Sequence, residues 1–96
     1  MASTVWSPDA LNDLKTIHDF IALRSDHYAD KMISRILDRP KMLLLQPSSG
    51  RIVPEFRMPE IRAVFEGSYR IIYTTDILPD IYIARVYHFA QLLKKL

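Results

Sequence analysis

The chain has 96 residues, a formal net charge of +2, no cysteine, and 49% hydrophobic against 25% charged residues. This length predicts one domain over residues 1–96, and the lack of cysteine excludes both disulfides and thiolate zinc sites. No apolar run approaches the roughly 20 residues of a membrane span, and the N-terminus lacks a signal-peptide pattern, so we predict a cytoplasmic protein. So small a charge excess does not by itself indicate a nucleic-acid binder.

The first half of the chain predicts a short strand followed by two helices. The strand covers 4–6, and Ser7-Pro8 supplies an N-cap and a first helical residue for a helix that ends near Arg24. A second helix begins at Ser25-Asp26, and Pro40 either kinks it or ends it before a short helical segment. Apolar residues recur at helical spacing in both helices: Ala10, Leu11, Leu14, Ile17, Phe20 and Ile21, then Ala29, Met32, Ile33, Ile36 and Leu37.

The second half predicts strands, because the apolar period changes to two after a loop at 46–50. Strands at 61–66 and 69–74 are joined by a tight turn at Glu66-Gly67-Ser68, and a last strand covers 81–88. Neither layer can bury its apolar face alone. We therefore predict an α+β fold in which an N-terminal helical hairpin packs on one face of a small antiparallel β-sheet, leaving the second face partly covered.

Several short pieces, in this order, resemble the RelE/ParE superfamily, the toxins of bacterial type II toxin–antitoxin systems. The resemblance covers nearly the whole chain, and none of its pieces is specific alone. They are Trp-Ser-Pro-Asp-Ala at 6–10, Asp-Leu at 13–14, Gly-Arg-Ile-Val-Pro-Glu at 50–55, Ile-Arg at 61–62, Tyr-Arg-Ile-Ile-Tyr at 69–73 and Val-Tyr-His at 86–88. The chain is thereby identified as a RelE/ParE-like toxin of the plasmid-stabilisation type.

The resemblance implies candidate catalytic residues at Glu55, Arg70 and His88, and candidate RNA-binding residues at Arg62 and Arg85. RNA cleavage by its own 2′-hydroxyl needs a base, an acid and a cation for the charge on the phosphorus oxygens. Glu55 suits the base, His88 the acid, and Arg70 the phosphate clamp. This scheme requires no metal and no cofactor. Each residue also has a structural interpretation: an exposed strand start, packing beside aromatics, or a cross-sheet ion pair.

Three functions are compatible with the resemblance. The one we rank first is a ribosome-dependent mRNA endoribonuclease, which makes mRNA on the ribosome the target. The second is a ParE-like inhibitor that binds DNA gyrase without hydrolysing anything, and the third is a degenerate member that binds only an antitoxin. In each case the expected partner is a cognate antitoxin, with a hetero-oligomer as the assembled form. The apolar side chains of residues 89–96 are a candidate docking surface for it.

Overall fold

The structure, a computed structural model, describes residues 1–88 of the chain. The candidate docking surface at residues 89–96 lies outside the described residues. None of the helices in residues 1–88 has the length and hydropathy needed to span a bilayer. The elements are β1 (Thr4–Trp6), α1 (Pro8–Ala22), α2 (Asp26–Asp38), β2 (Arg51–Ile52), β3 (Ile61–Glu66), β4 (Tyr69–Thr74) and β5 (Ile81–His88), with 3-10 segments at Arg39–Leu44 and Pro47–Ser49.

Both helices begin where their local sequence predicts. The hydroxyls of Ser7 and Ser25 each accept a backbone N–H three residues further on, at 2.9 and 3.1 Å, which satisfies a donor that the helix leaves unpaired. Helix α2 ends at Asp38, and a 3-10 segment at Arg39–Leu44 follows with Pro40 in its first turn. Of the two alternatives at this proline, the helix therefore stops and a short helical segment restarts.

The five strands form one sheet in the order β1-β5-β4-β3-β2. The predicted antiparallel arrangement is confirmed for β2 through β5, and Gly67, with φ of +57°, occupies the hairpin turn between β3 and β4. Two features differ from the prediction. Strand β1 joins the sheet parallel to β5. The edge strand β2 has only two residues and ends before Glu55, which lies on the connection to β3 and not at the start of a strand.

The helices pack on one face of the sheet, as predicted, and form the larger core. Two residues of the predicted α1 stripe are exceptions: Leu11 is 53% and Phe20 72% exposed. Both lie at the flanks of the stripe, so the buried face is narrower than the apolar pattern. The buried residues of this core are Ala10, Leu14, Met32, Ile36, Leu43, Val64, Ile71, Tyr73, Ile81, Ile83 and Val86.

The opposite face of the sheet is partly covered by the segment between β2 and β3. From this segment Val53, which is 1% exposed, and Phe56 pack on Ile61, Ala63 and Ile72. We call this the open face. The predicted partial cover is confirmed, and it consists of the segment that carries Glu55.

Candidate functional site

On the open face, Glu55 and Arg70 form an ion pair. Arg70 Nη2 donates to Glu55 Oε2 at 2.6 Å, and the two side chains are only 15% and 29% exposed. The hydrogen bond from Arg70 is the main reason that the pKa of Glu55 lies below its ordinary value. Arg70 Nε is buried and has no hydrogen-bond partner within residues 1–88. Two of the three candidate catalytic residues are therefore in contact.

The third candidate, His88, lies on the helix-covered face. It stands opposite Tyr69 in the β4–β5 register, and the two rings meet edge to face with centroids 5.6 Å apart. Tyr69 packs against the larger core, and it lines a cavity of about 480 Å³ with His88 and the α1 residues Thr16, Ile17 and Phe20. Since adjacent strand residues face opposite sides, Arg70 points away from this cavity. The structure does not bring His88 together with Glu55 and Arg70.

A β-bulge in β5 determines on which face of the sheet His88 lies. Tyr73 pairs with Ile83 but Ile72 pairs with Arg85, so Ala84 has no counterpart on β4. Such an extra residue shifts the alternation of the bulged strand by one. Val86 consequently shares the helix-covered face with Ile83, and His88 follows Val86 by two residues.

Arg62, a candidate RNA-binding residue, supports a loop. Its Nη1 donates to the carbonyl oxygens of Gly50 at 2.9 Å and Ser48 at 3.2 Å. The same loop is held by Tyr73, whose hydroxyl donates to Pro47 O at 2.7 Å and accepts Gly50 N–H at 3.0 Å. These bonds place the start of β2 on the edge of β3.

Arg85, the other candidate RNA-binding residue, is tied to α1. Its Nε and Nη2 donate to the two carboxylate oxygens of Asp13 at 2.9 and 3.0 Å, and this bond raises the pKa of the guanidinium. Asp13 Oδ2 also accepts Val86 N–H at 2.9 Å. The Arg85 guanidinium carbon lies 4.7 Å from the centroid of the Tyr87 ring. A bidentate pair that is mostly buried is not available to RNA unless Asp13 releases it.

Two residues missed by the sequence analysis, Arg39 and Arg51, line cavities beside the outer edge of β3. Arg39 and Arg51 line one of about 160 Å³, and Arg51 and Arg70 line one of about 340 Å³. Only the tertiary structure brings these arginines together, since they lie on a 3-10 segment and two strands. Within residues 1–88, no three His, Asp or Glu side chains are grouped as metal ligands would be.

The ion pair on the open face predicts a dependence of stability on pH. Because the folded-state pKa of Glu55 is below its unfolded value, the pair stabilises the fold near neutral pH, and this contribution is lost as pH falls through the folded-state pKa. We expect Glu55→Gln to lower the free energy of unfolding by about 1–2 kcal/mol at pH 7 and by clearly less at pH 3. Urea unfolding at both values measures this. Glu60→Gln is the control, and an equal loss at both pH values would contradict the prediction.

Comparison with known proteins identifies relatives of this fold. A family model described as the ParE toxin of type II toxin-antitoxin system, parDE, matches residues 4–93. The chain resembles a structure of a chromosomal ParDE system from P. aeruginosa, with a TM-score of 0.72, 23% identity and coverage of 92% of this chain and 96% of that one. It also resembles the toxin–antitoxin complex RelBE2 from Mycobacterium tuberculosis, with a TM-score of 0.60, 17% identity and coverage of 94% and 93%. No curated protein matches the chain.

Proposed function

The chain belongs to the ParE toxin family of type II toxin–antitoxin systems, and from this premise we propose that it arrests growth by binding DNA gyrase, without hydrolysing RNA. A cognate antitoxin, bound directly, neutralises it. Gyrase is the target because ParE-like members of the superfamily that the sequence resembles inhibit that enzyme. The toxin would then act stoichiometrically, through surface contacts alone.

The observation that carries this proposal is the separation of the candidate catalytic residues. General acid–base cleavage needs its acid, its base and its phosphate clamp around one scissile bond. Glu55 and Arg70 lie on the open face, whereas His88 lies against Tyr69 on the helix-covered face. The sheet would therefore separate a phosphate bound by Arg70 from the side chain of His88.

The state of Glu55 also supports binding over cleavage. A general base works best with a pKa near the working pH. The ion pair with Arg70 moves the pKa of Glu55 in the other direction, below its ordinary value. It also occupies the Nη2 donor of the guanidinium, which a phosphate would need.

Ribosome-dependent mRNA cleavage is the second candidate, and one observation favours it. The contact at 2.6 Å places a carboxylate and a guanidinium together, next to a cavity of about 340 Å³ that Arg51 also lines. If an RNA phosphate displaced Glu55 from Arg70, the released carboxylate would be beside the substrate. Catalysis would then need an acid other than His88.

Gyrase and ribosome assays on one preparation test the proposal. We expect the purified toxin to inhibit DNA supercoiling by gyrase at concentrations comparable to that of the enzyme, and added antitoxin to restore it. We expect mRNA on translating ribosomes to remain intact under the same conditions. Cleaved mRNA with unaffected supercoiling would establish the second candidate instead. Inactivity in both assays, with antitoxin binding retained, would indicate a degenerate member.

The substitution His88→Ala separates the two functions in cells. If His88 were a general acid, its loss would reduce cleavage by ~10²–10⁴-fold and would restore growth. We expect toxicity to persist, because in our proposal His88 packs beside Tyr69 and takes no part in a cleavage reaction. The readout is colony formation after induction, with the amount of folded toxin checked by its antitoxin complex. Restored growth with a normal amount of folded toxin would contradict the proposal.

A further inference from the structure

The outer edge of β3 is only partly covered by a strand. Strand β2 pairs with it at Arg51–Ala63 and Ile52–Arg62, so within residues 1–88 the edge beyond Ala63 has no strand partner. Val53 N donates to Ile61 O, which shows that the backbone groups of residues 61, 63 and 65 point outwards. An edge of this kind is a template for an added strand.

A side chain takes the place of a strand at this edge. Arg39 Nε donates to the carbonyl oxygen of Phe65 at 2.9 Å, in an exposed position. The carbonyl oxygen has two lone pairs and can accept a second bond from an incoming backbone N–H. The carbonyl oxygen of Phe65 therefore has a hydrogen-bond partner in the free protein and is still accessible to a second donor.

Charge complementarity indicates the chemistry of that partner. The two cavities beside the edge are lined by Arg39, Arg51 and Arg70, and among residues 1–88 neither lining includes a carboxylate. Glu55 neutralises Arg70 only, and Arg51 is exposed. Two arginines with no acidic neighbour in the cavity they share favour an anionic ligand.

Apolar side chains line the same cavities as these cations. Phe65 is 44% and Ile52 46% exposed, and both line the larger of the two cavities. Main-chain bonds to an added strand supply affinity, while pockets for alternate side chains supply specificity. An extended segment in which acidic and apolar residues are interspersed matches this surface.

We propose that an extended acidic segment of the cognate antitoxin adds as a strand to the outer edge of β3 beside Phe65, with its carboxylates on Arg39 and Arg51. This inference rests on the antitoxin partner of the proposed function and specifies where it binds. A peptide suits the edge better than a nucleic acid does, because the open backbone pairs with another backbone and the chain carries a net charge of only +2.

Calorimetric titration of the full chain with its antitoxin tests the charges. We expect Arg39→Gln and Arg51→Gln each to weaken binding by about tenfold, since each removes a charge-assisted hydrogen bond. The decrease of affinity with added salt should also become less steep. The control is Arg24→Gln, which removes the same charge from an exposed residue after α1 and should leave the affinity unchanged.

Hydrogen exchange of the unsubstituted toxin tests the strand itself, independently of any effect of Arg39→Gln on folding. We expect the Phe65 amide to exchange more slowly in the antitoxin complex than in the free toxin. The inference would be overturned if exchange at Phe65 were unchanged and both arginine variants bound the antitoxin with the affinity of Arg24→Gln. Antitoxin binding itself would not be in question. A second result would also overturn the inference: the toxin binds a single-stranded oligodeoxythymidine, both arginine variants abolish that binding, and antitoxin affinity stays intact. The edge would then be assigned to nucleic acid. A toxin that binds no antitoxin would refute the proposed partner.

Discussion

Replacing Asp13 with alanine is expected to lower the free energy of unfolding by about 2–4 kcal/mol. The carboxylate accepts two bonds from Arg85 and one from Val86 N–H, and the side chains of Asp13 and Arg85 are only 14% and 23% exposed. Its loss leaves a mostly buried cation and a backbone donor without their acceptor. For a domain of this size, the melting temperature should fall by roughly 10–25 °C.

We also expect Asp13→Ala to promote self-association of the protein. Strand β1 pairs with β5 only from Ile81 to Ile83, and beyond it Asp13 caps the strand edge at Val86. An uncapped edge can pair with another chain. Asp19→Ala on the same helix, 70% exposed, is the matched control. The prediction would be contradicted if Asp13→Ala had a melting temperature within a few degrees of that control and if this temperature did not depend on protein concentration. The carboxylate would then neither stabilise nor cap the edge of β5.

Replacing Gly50 with alanine is expected to cost about 2–3 kcal/mol, because the new methyl group has no space. A Cβ at this position would overlap the hydroxyl of Tyr73 and would lie 2.8 Å from the carbonyl oxygen of Ala63. The Tyr73 ring is fully buried and the Ala63 oxygen belongs to the backbone, so neither can move freely. Thermal and urea unfolding measure the loss.

The double substitution Gly50→Ala with Tyr73→Phe identifies the cause. Removing the hydroxyl takes away the worst overlap, so the double variant should lose less than the sum of the single losses. Rescue is expected to be partial, because the Ala63 oxygen remains and Pro47 O loses its donor. Strictly additive losses would show that the steric conflict lies elsewhere. Since Arg51 follows Gly50, Gly50→Ala should also weaken antitoxin binding if the edge of β3 is its site.

The sequence alone predicted the elements whose signals are local. Ser7 and Ser25 cap their helices by bonds to residues three positions on. Pro40 predicted an interruption of α2, because it lacks an N–H, and the structure decided that the helix stops there rather than kinks. The period-two strands and the turn at Gly67 were likewise apparent. The superfamily was identified from the order of short pieces, and the match of the ParE family model confirms it. The resemblance implied one catalytic site of Glu55, Arg70 and His88. The structure brings the first two into contact and leaves His88 apart, and their catalytic role stays a prediction.

Features that depend on pairing between distant segments could be decided only by the tertiary structure. The parallel addition of β1, the edge strand β2, and the bonds of Asp13 to Arg85 depend on contacts across most of the chain. The face of His88 is the clearest case. Uninterrupted alternation from Ile83 would place it on the open face with Arg70, but the bulge at Ala84 moves it to the helix-covered face. A bulge is defined by register against a partner strand, and the sequence of β5 alone contains no partner.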